Sequence, residues 1–288
     1  MNEALPRGFN DEWKLPANYS KYKVANKDMI GNTWTYLLIK IISVPIFIYI
    51  VSIVSRRWGH SIGGLIVGLP LTSGPVLFFL TLEQGNSFGV GAAQGILMGL
   101  ISVSTACLVY SRLAFRMSWS ASVAGSSSVF FLVGGVLNFI SAPLVLSYVG
   151  VLVVLLLIFK LLPPGVAPPT LQEPPKWEIH ARIVAATAVV ILITEGATLL
   201  GPHLSGLLTP FPAYATVLAA FIHKLDGASA CSLFLRGVVI GSFTSASFFF
   251  VNALLIGQIG LLAAMGTAVL AGLVIHSLLF HLVKRTYV

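Results

Sequence analysis

Long apolar runs separated by short polar segments form the pattern of this chain from Trp34 to Val283. Several runs reach about 18 residues or more, enough to cross a hydrocarbon layer about 30 Å thick. Lipid cannot hydrogen-bond an exposed backbone, so such runs must fold as helices or as a closed barrel. A barrel needs apolar and polar residues to alternate, and the run LVLSYVGVLVVLLLIF (144–159) does not alternate. The pattern therefore predicts an all-α fold, a polytopic bundle of transmembrane helices.

The apolar pattern divides into about nine predicted spans. Residues 119–162 would make a single helix roughly 66 Å long, which is too long for one span. They are therefore predicted to form two spans that are divided at Pro143. The predicted spans cover residues 35–55, 62–82, 89–110, 121–141, 144–161, 181–200, 204–223, 230–254 and 260–283.

Five segments follow from these spans. Residues 1–33 form a polar amino-terminal tail with few aliphatic side chains. Residues 34–143 are predicted to be a first membrane repeat, 144–161 a linking transmembrane helix, and 179–288 a second membrane repeat. Between the last two, residues 162–178 hold six prolines, which favour a stiff, extended linker.

The composition agrees with a membrane protein and excludes several other classes. Hydrophobic residues make up 57% of the chain and charged residues 9%, whereas a soluble domain carries about 25% charged residues. The net charge of +8 comes from single or paired basic residues beside apolar runs, so a nucleic-acid partner is not expected. The sequence contains no Walker loop, no catalytic motif and no metal-ligand spacing around Cys107 or Cys231, so we expect no enzyme, cofactor or metal.

The two halves of the chain are related in sequence. A shift of 142 positions lays residues 59–99 over 201–241 without a gap. Glycine matches alone would be weak in a chain with 27 glycines, but the gapless run also matches a proline at mid-span. We therefore predict that both halves are copies of one four-helix unit. The identical pairs are Gly59/Gly201, Gly64/Gly206, Leu65/Leu207, Pro70/Pro212, Phe79/Phe221, Gly85/Gly227, Ser87/Ser229, Gly95/Gly237 and Gly99/Gly241.

The basic residues indicate that the second repeat is inverted relative to the first. In the first half the loops after spans one and three are basic, and in the second half the loop after span seven is basic. Nine spans place all of these loops and the carboxyl terminus on one side, which the positive-inside rule makes the cytoplasm. The amino-terminal tail then faces outward, which goes against that rule. The basic residues are Arg56, Arg57, Arg112, Arg116, Lys176, His223, Lys224, Lys284 and Arg285.

Each half interrupts one span at matching positions, with GLPLTSGP (68–75) in span two and TPFPAYAT (209–216) in span seven. Proline removes a backbone donor and glycine loosens a helix, so carbonyl groups become available to a ligand. Secondary transporters with inverted repeats bind their substrates at such paired breaks. The alternative is a pair of kinked packing helices. The predicted substrate-binding residues are Pro70, Thr72, Ser73, Thr209, Pro212, Tyr214 and Thr216.

A carboxyl group within span six is the candidate for proton coupling. Glu195 lies about fifteen residues into that span, and ionisable residues at membrane depth are costly and usually functional. The alternative is an interfacial residue near the outer end of the span.

Five other polar residues receive simpler interpretations. Lys40 and Arg182 occupy equivalent repeat positions near the starts of their spans, where we expect long side chains to extend to the headgroups. Gln94 and Arg236, also equivalent, are candidates to line an opening beside the paired breaks, and Asp226 reads as an ordinary loop charge.

The stretch LSGLLTPFPAYATVLAAFIHKLDG (204–227), followed by LFLRGVVIGSFTSASFFF (233–250), resembles the GlpM-like small inner-membrane proteins of bacteria. Those are short chains with a similar small-Gly-Leu, Phe-Pro and terminal Gly pattern. Residues 63–110 resemble a more divergent copy, with Leu69–Pro70 where the Phe-Pro would stand. The resemblance implies a bacterial inner-membrane location and a fused tandem of two units. It carries over no substrate and no site residues.

Together these features predict a secondary transporter or exporter of a small solute, coupled to protons through Glu195. The site would lie between spans two and seven, and one repeat would rock against the other around it. The alternative is a non-transporting accessory membrane protein that supports envelope-polymer or lipid metabolism. The expected partners are the lipid bilayer and an unidentified solute or ion, and the sequence leaves the oligomeric state open, a homo-oligomer included.

Overall fold

The computed structural model describes residues 33–71, 73–140, 142–165, 177, 179–185, 187–188 and 212–287. All regular secondary structure in these residues is helical. The chain divides into two compact units, residues 1–39 and residues 40–288. In the first unit the described residues are the start of one helix, and the helices that pack together belong to the second unit.

The described residues form eight helices of different lengths, and residues 179–185 are also helical. Five of the eight (α4 to α8) are long and apolar enough to cross a membrane. The prediction of an all-α, multi-pass membrane protein is therefore confirmed at this level, and the count of nine spans stays a prediction. The helices are α1 Thr33–Trp58, α2 His60–Val67, α3 Ser73–Gln84, α4 Asn86–Ala114, α5 Trp119–Leu137, α6 Leu144–Leu161, α7 Ala213–Ile259 and α8 Leu261–Tyr287.

Single glycines connect four pairs of successive helices. Gly59, Gly85, Gly227 and Gly260 all have φ between 82° and 92°, with ψ between 161° and 176°. Side chains with a Cβ rarely adopt this conformation, so the turn requires glycine. Each of these turns replaces a whole loop with one residue.

Gly227 divides α7 into two arms, residues 213–226 (α7a) and 228–259 (α7b), which fold back on each other. The Cys231 Sγ on the second arm lies 3.4 Å from the Ala219 carbonyl oxygen on the first. Gly85 joins α3 and α4 in the same way, since the Thr81 side chain lies directly against Gly89. The sequence placed a loop between two separate spans at each of these points, and the structure has a one-residue turn instead.

The centre of the bundle is α7b, most of whose residues are buried. It packs antiparallel to α4: Ser111 near the end of α4 donates a 2.8 Å hydrogen bond to Ser232 near the start of α7b. At the other end, Val90 of α4 lies beside Gly257 of α7b. The buried core around this pair includes Leu97, Leu155, Phe234, Phe249 and Ile256.

Helices α5, α6 and α8 lie at the periphery and expose apolar side chains. Leu132, Leu146, Leu262 and Leu270 are each more than half exposed. Such a continuous apolar surface is rare on a protein surrounded by water. It is the surface expected of helices that face lipid.

Candidate functional site

The helix break predicted in span two is present between α2 and α3. Helix α2 ends at Val67, and α3 begins at Ser73. Between them the backbone forms short-range bonds, from the Leu71 amide to the Leu69 carbonyl (2.8 Å) and from the Gly74 amide to the Pro70 carbonyl (2.8 Å). Pro70 has no amide hydrogen, so an unbroken helix could not form here without loss of a hydrogen bond.

The carbonyl group at the end of α2 is bonded by a neighbouring helix. The Ser245 hydroxyl of α7b donates a 2.7 Å hydrogen bond to the Gly68 carbonyl oxygen. On the other side of the break, Gly74 lies 3.5 Å (measured from an added Cβ) from the Phe248 ring. The break is thus held against the middle of α7b.

Glycines permit this close approach of α2 and α7b. A Cβ on Gly64 would overlap the Phe234 carbonyl oxygen, and a Cβ on Gly237 would overlap the Ser61 carbonyl oxygen. Gly68 and Gly241 are in similar backbone contact one turn further along. Two small-xxx-small motifs therefore face each other, which is how transmembrane helices pack most closely.

The second predicted group lies at the start of α7a. Pro212 precedes the first helical residue, and the Thr216 amide donates a 2.8 Å hydrogen bond to its carbonyl oxygen. Tyr214 and Thr216 are both half-buried. Pro70 and Ser73 of the first group are also half-buried, and the glycines on either side of them, Gly68 and Gly74, contact α7b. Thr72, Thr209 and Glu195 lie outside the described residues.

Basic residues from different helices lie at one end of the bundle, called here the basic end. Arg112 at the end of α4 donates a 3.1 Å hydrogen bond to the Leu161 carbonyl at the end of α6. Lys224, just before the Gly227 turn, lies over the ring of Trp119 at the start of α5. The ends of α4, α6 and α7a and the start of α5 therefore meet here, as the charge pattern predicted for loops on one side.

A buried ionisable cluster lies at the same end, where α1 turns into α2. The His60 Nδ1 is 2.9 Å from the Ser55 hydroxyl. The His60 Nε2 is 3.5 Å from the Asp226 Oδ2 beside the Gly227 turn. The His60 side chain is 6% exposed and that of Asp226 21%.

Two arginines complete the cluster. Arg182 and Arg56 both interact electrostatically with the Asp226 carboxylate. Arg182 is 3% exposed, and its guanidinium lies 5.7 Å from the centre of the Phe221 ring. The structure thus corrects two interpretations: Arg182 does not extend to the headgroups but is buried against α7a, and Asp226 is a half-buried partner of three other side chains rather than a loop charge.

Gln94 and Arg236 hold opposite ends of α6. Gln94 donates hydrogen bonds to the Ala142 carbonyl (2.6 Å) and to Ser147 (3.3 Å), near the start of that helix. Arg236 donates a 2.7 Å hydrogen bond to the Leu162 carbonyl at its end and lies 4.4 Å from the centre of the Phe159 ring. These contacts give both side chains a positioning role on α6 that the sequence did not predict.

The sequence analysis did not single out His60 as a functional residue, although the sequence contains a pattern that could have indicated it. His60 follows Gly59 directly, and Asp226 precedes Gly227 directly. The charge pattern already assigned both segments to one side of the membrane, so an acid and a base beside two helix-breaking glycines could have been paired. Among the described residues, no group of three or more His, Cys, Asp and Glu could hold a metal ion.

Comparisons of this chain with family models, curated proteins and solved structures find no match. The resemblance to GlpM-like proteins therefore stays a prediction. Any function must be argued from the helix break, the two halves of the chain and the cluster at the basic end.

Proposed function

We propose that this protein is a secondary transporter or exporter of a small solute across the bacterial inner membrane. The observation that carries the proposal is the break between α2 and α3, which lies against the central α7b rather than at either end of the bundle. The broken backbone is packed within the protein, and Ser73 at the start of α3 is half-buried. In lipid, irregular backbone is tolerated where it is buried in protein or lines a cavity.

An inverted duplication is part of the same proposal, and several positions 142 residues apart support it. Gly85 and Gly227 both form one-residue turns with φ of 88°. Helices α5 and α8 begin at Trp119 and Leu261, which are also 142 positions apart. A shared turn and a shared helix start at the same offset are expected if both halves descend from one unit.

The packing of equivalent helices favours opposite orientations for the two copies. Helix α4 is the counterpart of α7b under this offset. The two run antiparallel, since Ser111 contacts Ser232 at one end and Val90 contacts Gly257 at the other. Gln94 and Arg236 are also counterparts, and they bond the opposite ends of α6. A two-fold axis in the membrane plane near α6 would relate both pairs, which is the plan of many inverted-repeat transporters.

The mechanism that fits this plan is rocking of one repeat against the other around the breaks. The solute would be bound near the bilayer midplane by residues of both copies. These are Pro70, Thr72 and Ser73 of the first copy and Thr209, Pro212, Tyr214 and Thr216 of the second. Glu195 remains the proposed proton carrier of span six. By the positive-inside rule the basic end would face the cytoplasm.

A second function has one observation in its favour. At Gly64, Gly68, Gly237 and Gly241 the backbones of α2 and α7b touch, so this crossing leaves no room for a solute. A rigid, dry bundle of this kind would suit an accessory membrane protein that organises other envelope components. The two functions differ in whether water reaches the break.

Cysteine accessibility distinguishes them. Single cysteines at Ser73, Tyr214 and Thr216 would be placed in a chain whose Cys107 and Cys231 are replaced by alanine, and probed from each side with a membrane-impermeant thiol reagent. Transport predicts that these positions react and that their reactivity changes sides with pH or a candidate solute. Cysteines at the fully buried Leu97 and Val151 serve as unreactive controls. If all three test positions behave like these controls from both sides, the transporter proposal is wrong and the accessory function replaces it.

A further inference from the structure

His60 and Asp226 join two glycine turns that come from opposite halves of the chain. Gly59 separates α1 from α2, and Gly227 separates α7a from α7b. The imidazole and the carboxylate lie next to these turns, and their facing atoms are 3.5 Å apart. The pair therefore connects the first helix of the broken span to the turn before the central helix.

The geometry orients the imidazole toward the carboxylate. Ser55, in the last turn of α1, bonds Nδ1 at 2.9 Å and leaves Nε2 directed at Asp226. A tight charge-assisted hydrogen bond is about 2.7–2.9 Å long, so the pair is within reach of closure by a movement of less than an ångström. Because His60 is almost fully buried, water can screen this interaction only weakly.

The surrounding charges compete for the same carboxylate. Arg56 of α1 and Arg182 of the helical segment 179–185 both interact with Asp226. On α7a the neighbouring ionisable groups are His223, whose ring packs edge-on against Tyr110, and Lys224, which lies over Trp119.

Helix α8 also packs on α2. Its described titratable side chains are His276, which is half-buried, and His281, which is exposed. Between His60 and Asp226, the imidazole is the group whose charge ordinarily changes between pH 5 and pH 8.

We infer that His60 and Asp226 form a proton-binding site whose occupancy controls how firmly α2 is tied to the Gly227 turn. When Nε2 binds a proton, the imidazolium donates a charge-assisted hydrogen bond to the Asp226 Oδ2. When the proton leaves, one positive charge is removed, and the carboxylate retains Arg56 and Arg182 as its cationic partners. The tie then weakens, and the two glycine turns can separate.

A role of this site in coupling proton binding to transport rests on the proposed transport function, since a transporter with alternating access must be able to close at each end. The proton-sensitive tie does not depend on that function. At low pH the basic end would be closed, and at high pH it would be open.

The test is a spin–spin distance measured across the tie in the full-length protein. Spin labels would be attached to cysteines replacing the exposed Arg57 and Lys224, with Cys107 and Cys231 replaced by alanine and the protein in lipid nanodiscs. Pulsed electron spin resonance would record the distance distribution from pH 5 to pH 8.5. We expect a short, narrow distribution at low pH and a longer, broader one at high pH, with a single midpoint between pH 5 and pH 8.

Three variants identify the groups responsible. His60→Gln and Asp226→Asn should each give the longer, broader distribution at every pH, while the matched control His281→Gln should keep the full pH response. Two variants on different helices are used because one of them could fail to fold, which a gel-filtration profile would reveal. A pH response that survives in either folded variant of the pair, or its absence in the unmodified protein, overturns the inference.

The result of this distance measurement can be distinguished from the result of the cysteine-accessibility experiment that tests transport. A pH-dependent tie with unreactive cysteines at the break would mean a proton sensor in a protein that does not transport. Reactive cysteines at the break without a pH-dependent tie would keep the transport function and remove His60 and Asp226 from it.

Discussion

Gly237 is a residue at which the packing of this bundle leaves no room for a side chain. A methyl group there would overlap the Ser61 carbonyl oxygen and the Leu65 amide nitrogen, which are backbone atoms that cannot rotate away. We expect Gly237→Ala to separate α2 from α7b and to destabilise the protein by about 1–3 kcal/mol or more. Thermal unfolding in detergent, followed by gel filtration, measures this as a lower melting temperature.

An exposed glycine of α8 supplies a control for this variant. Gly266 is exposed, and a Cβ there meets no atom within 4 Å among the described residues. Gly266→Ala should change the free energy of unfolding by less than about 0.5 kcal/mol, so its melting temperature should stay close to that of the unmodified protein. Equal melting temperatures for the two variants would contradict the close contact of α2 and α7b.

The sequence predicted the presence of close packing but not its partners. The run GGLIVG (63–68) is small enough to indicate a tight helix contact. With 27 glycines in the chain, however, many pairs of helices could have supplied the opposite face. The matching of Gly64 and Gly68 with Gly237 and Gly241 depends on how α7b is oriented, and that is a property of the whole bundle.

At the scale of elements, Ser245 tests how the break between α2 and α3 is maintained. Its hydroxyl bonds the Gly68 carbonyl of another helix, whereas the nearby Ser242 bonds Val238 within its own helix. Ser245→Ala should cost about 0.6–1.7 kcal/mol and increase amide hydrogen exchange around residues 68–71. Ser242→Ala is the control and should leave exchange there unchanged. If both variants exchange alike, Ser245 does not hold the break.

The break itself was predictable, but the turns were not. Pro70 and Pro75 with their glycine neighbours indicate an interrupted helix from local chemistry alone. The sequence identified Gly85 and Gly227 only as matching positions of the two repeats. A glycine in an apolar run does not by itself predict a positive φ. Hydropathy therefore predicted separate spans with loops where the structure has one-residue turns. For the same reason the contact of His60 with Asp226, which lie beside two of these turns, was not predicted.

At the scale of the whole molecule, the charge pattern anticipated which helix ends meet. The sequence assigned the loops with Arg112 and Lys224 to one side, and in the structure the corresponding ends of α4 and α7a lie with the end of α6 and the start of α5. The charges could not distinguish a basic residue in solvent from one in a cluster. Arg182 illustrates this, since its repeat position suggested an interfacial side chain and its actual place is a buried site beside Asp226.

The orientation of the bundle in the membrane gives the last prediction. The basic end includes the exposed residues Arg57 and Met117, and the opposite end includes the exposed residues Asn86 and Phe139. Because basic segments are retained in the cytoplasm, single cysteines at Asn86 and Phe139 should react with an impermeant maleimide in intact cells. Cysteines at Arg57 and Met117 should react only after the cells are permeabilised.

Each pattern of labelling has a distinct meaning for the proposed architecture. The reverse pattern would keep the bundle and its inverted halves but turn the protein over in the membrane, so that the His60–Asp226 pair would sense external rather than cytoplasmic pH. Labelling of the cysteines at Asn86 and Phe139 from different sides of the membrane would contradict the proposed inverted repeat. Gln94, in the third turn of α4, bonds the Ala142 carbonyl beside the start of α6, so these two ends must share one face if α4 and α7b are the antiparallel centre of an inverted repeat.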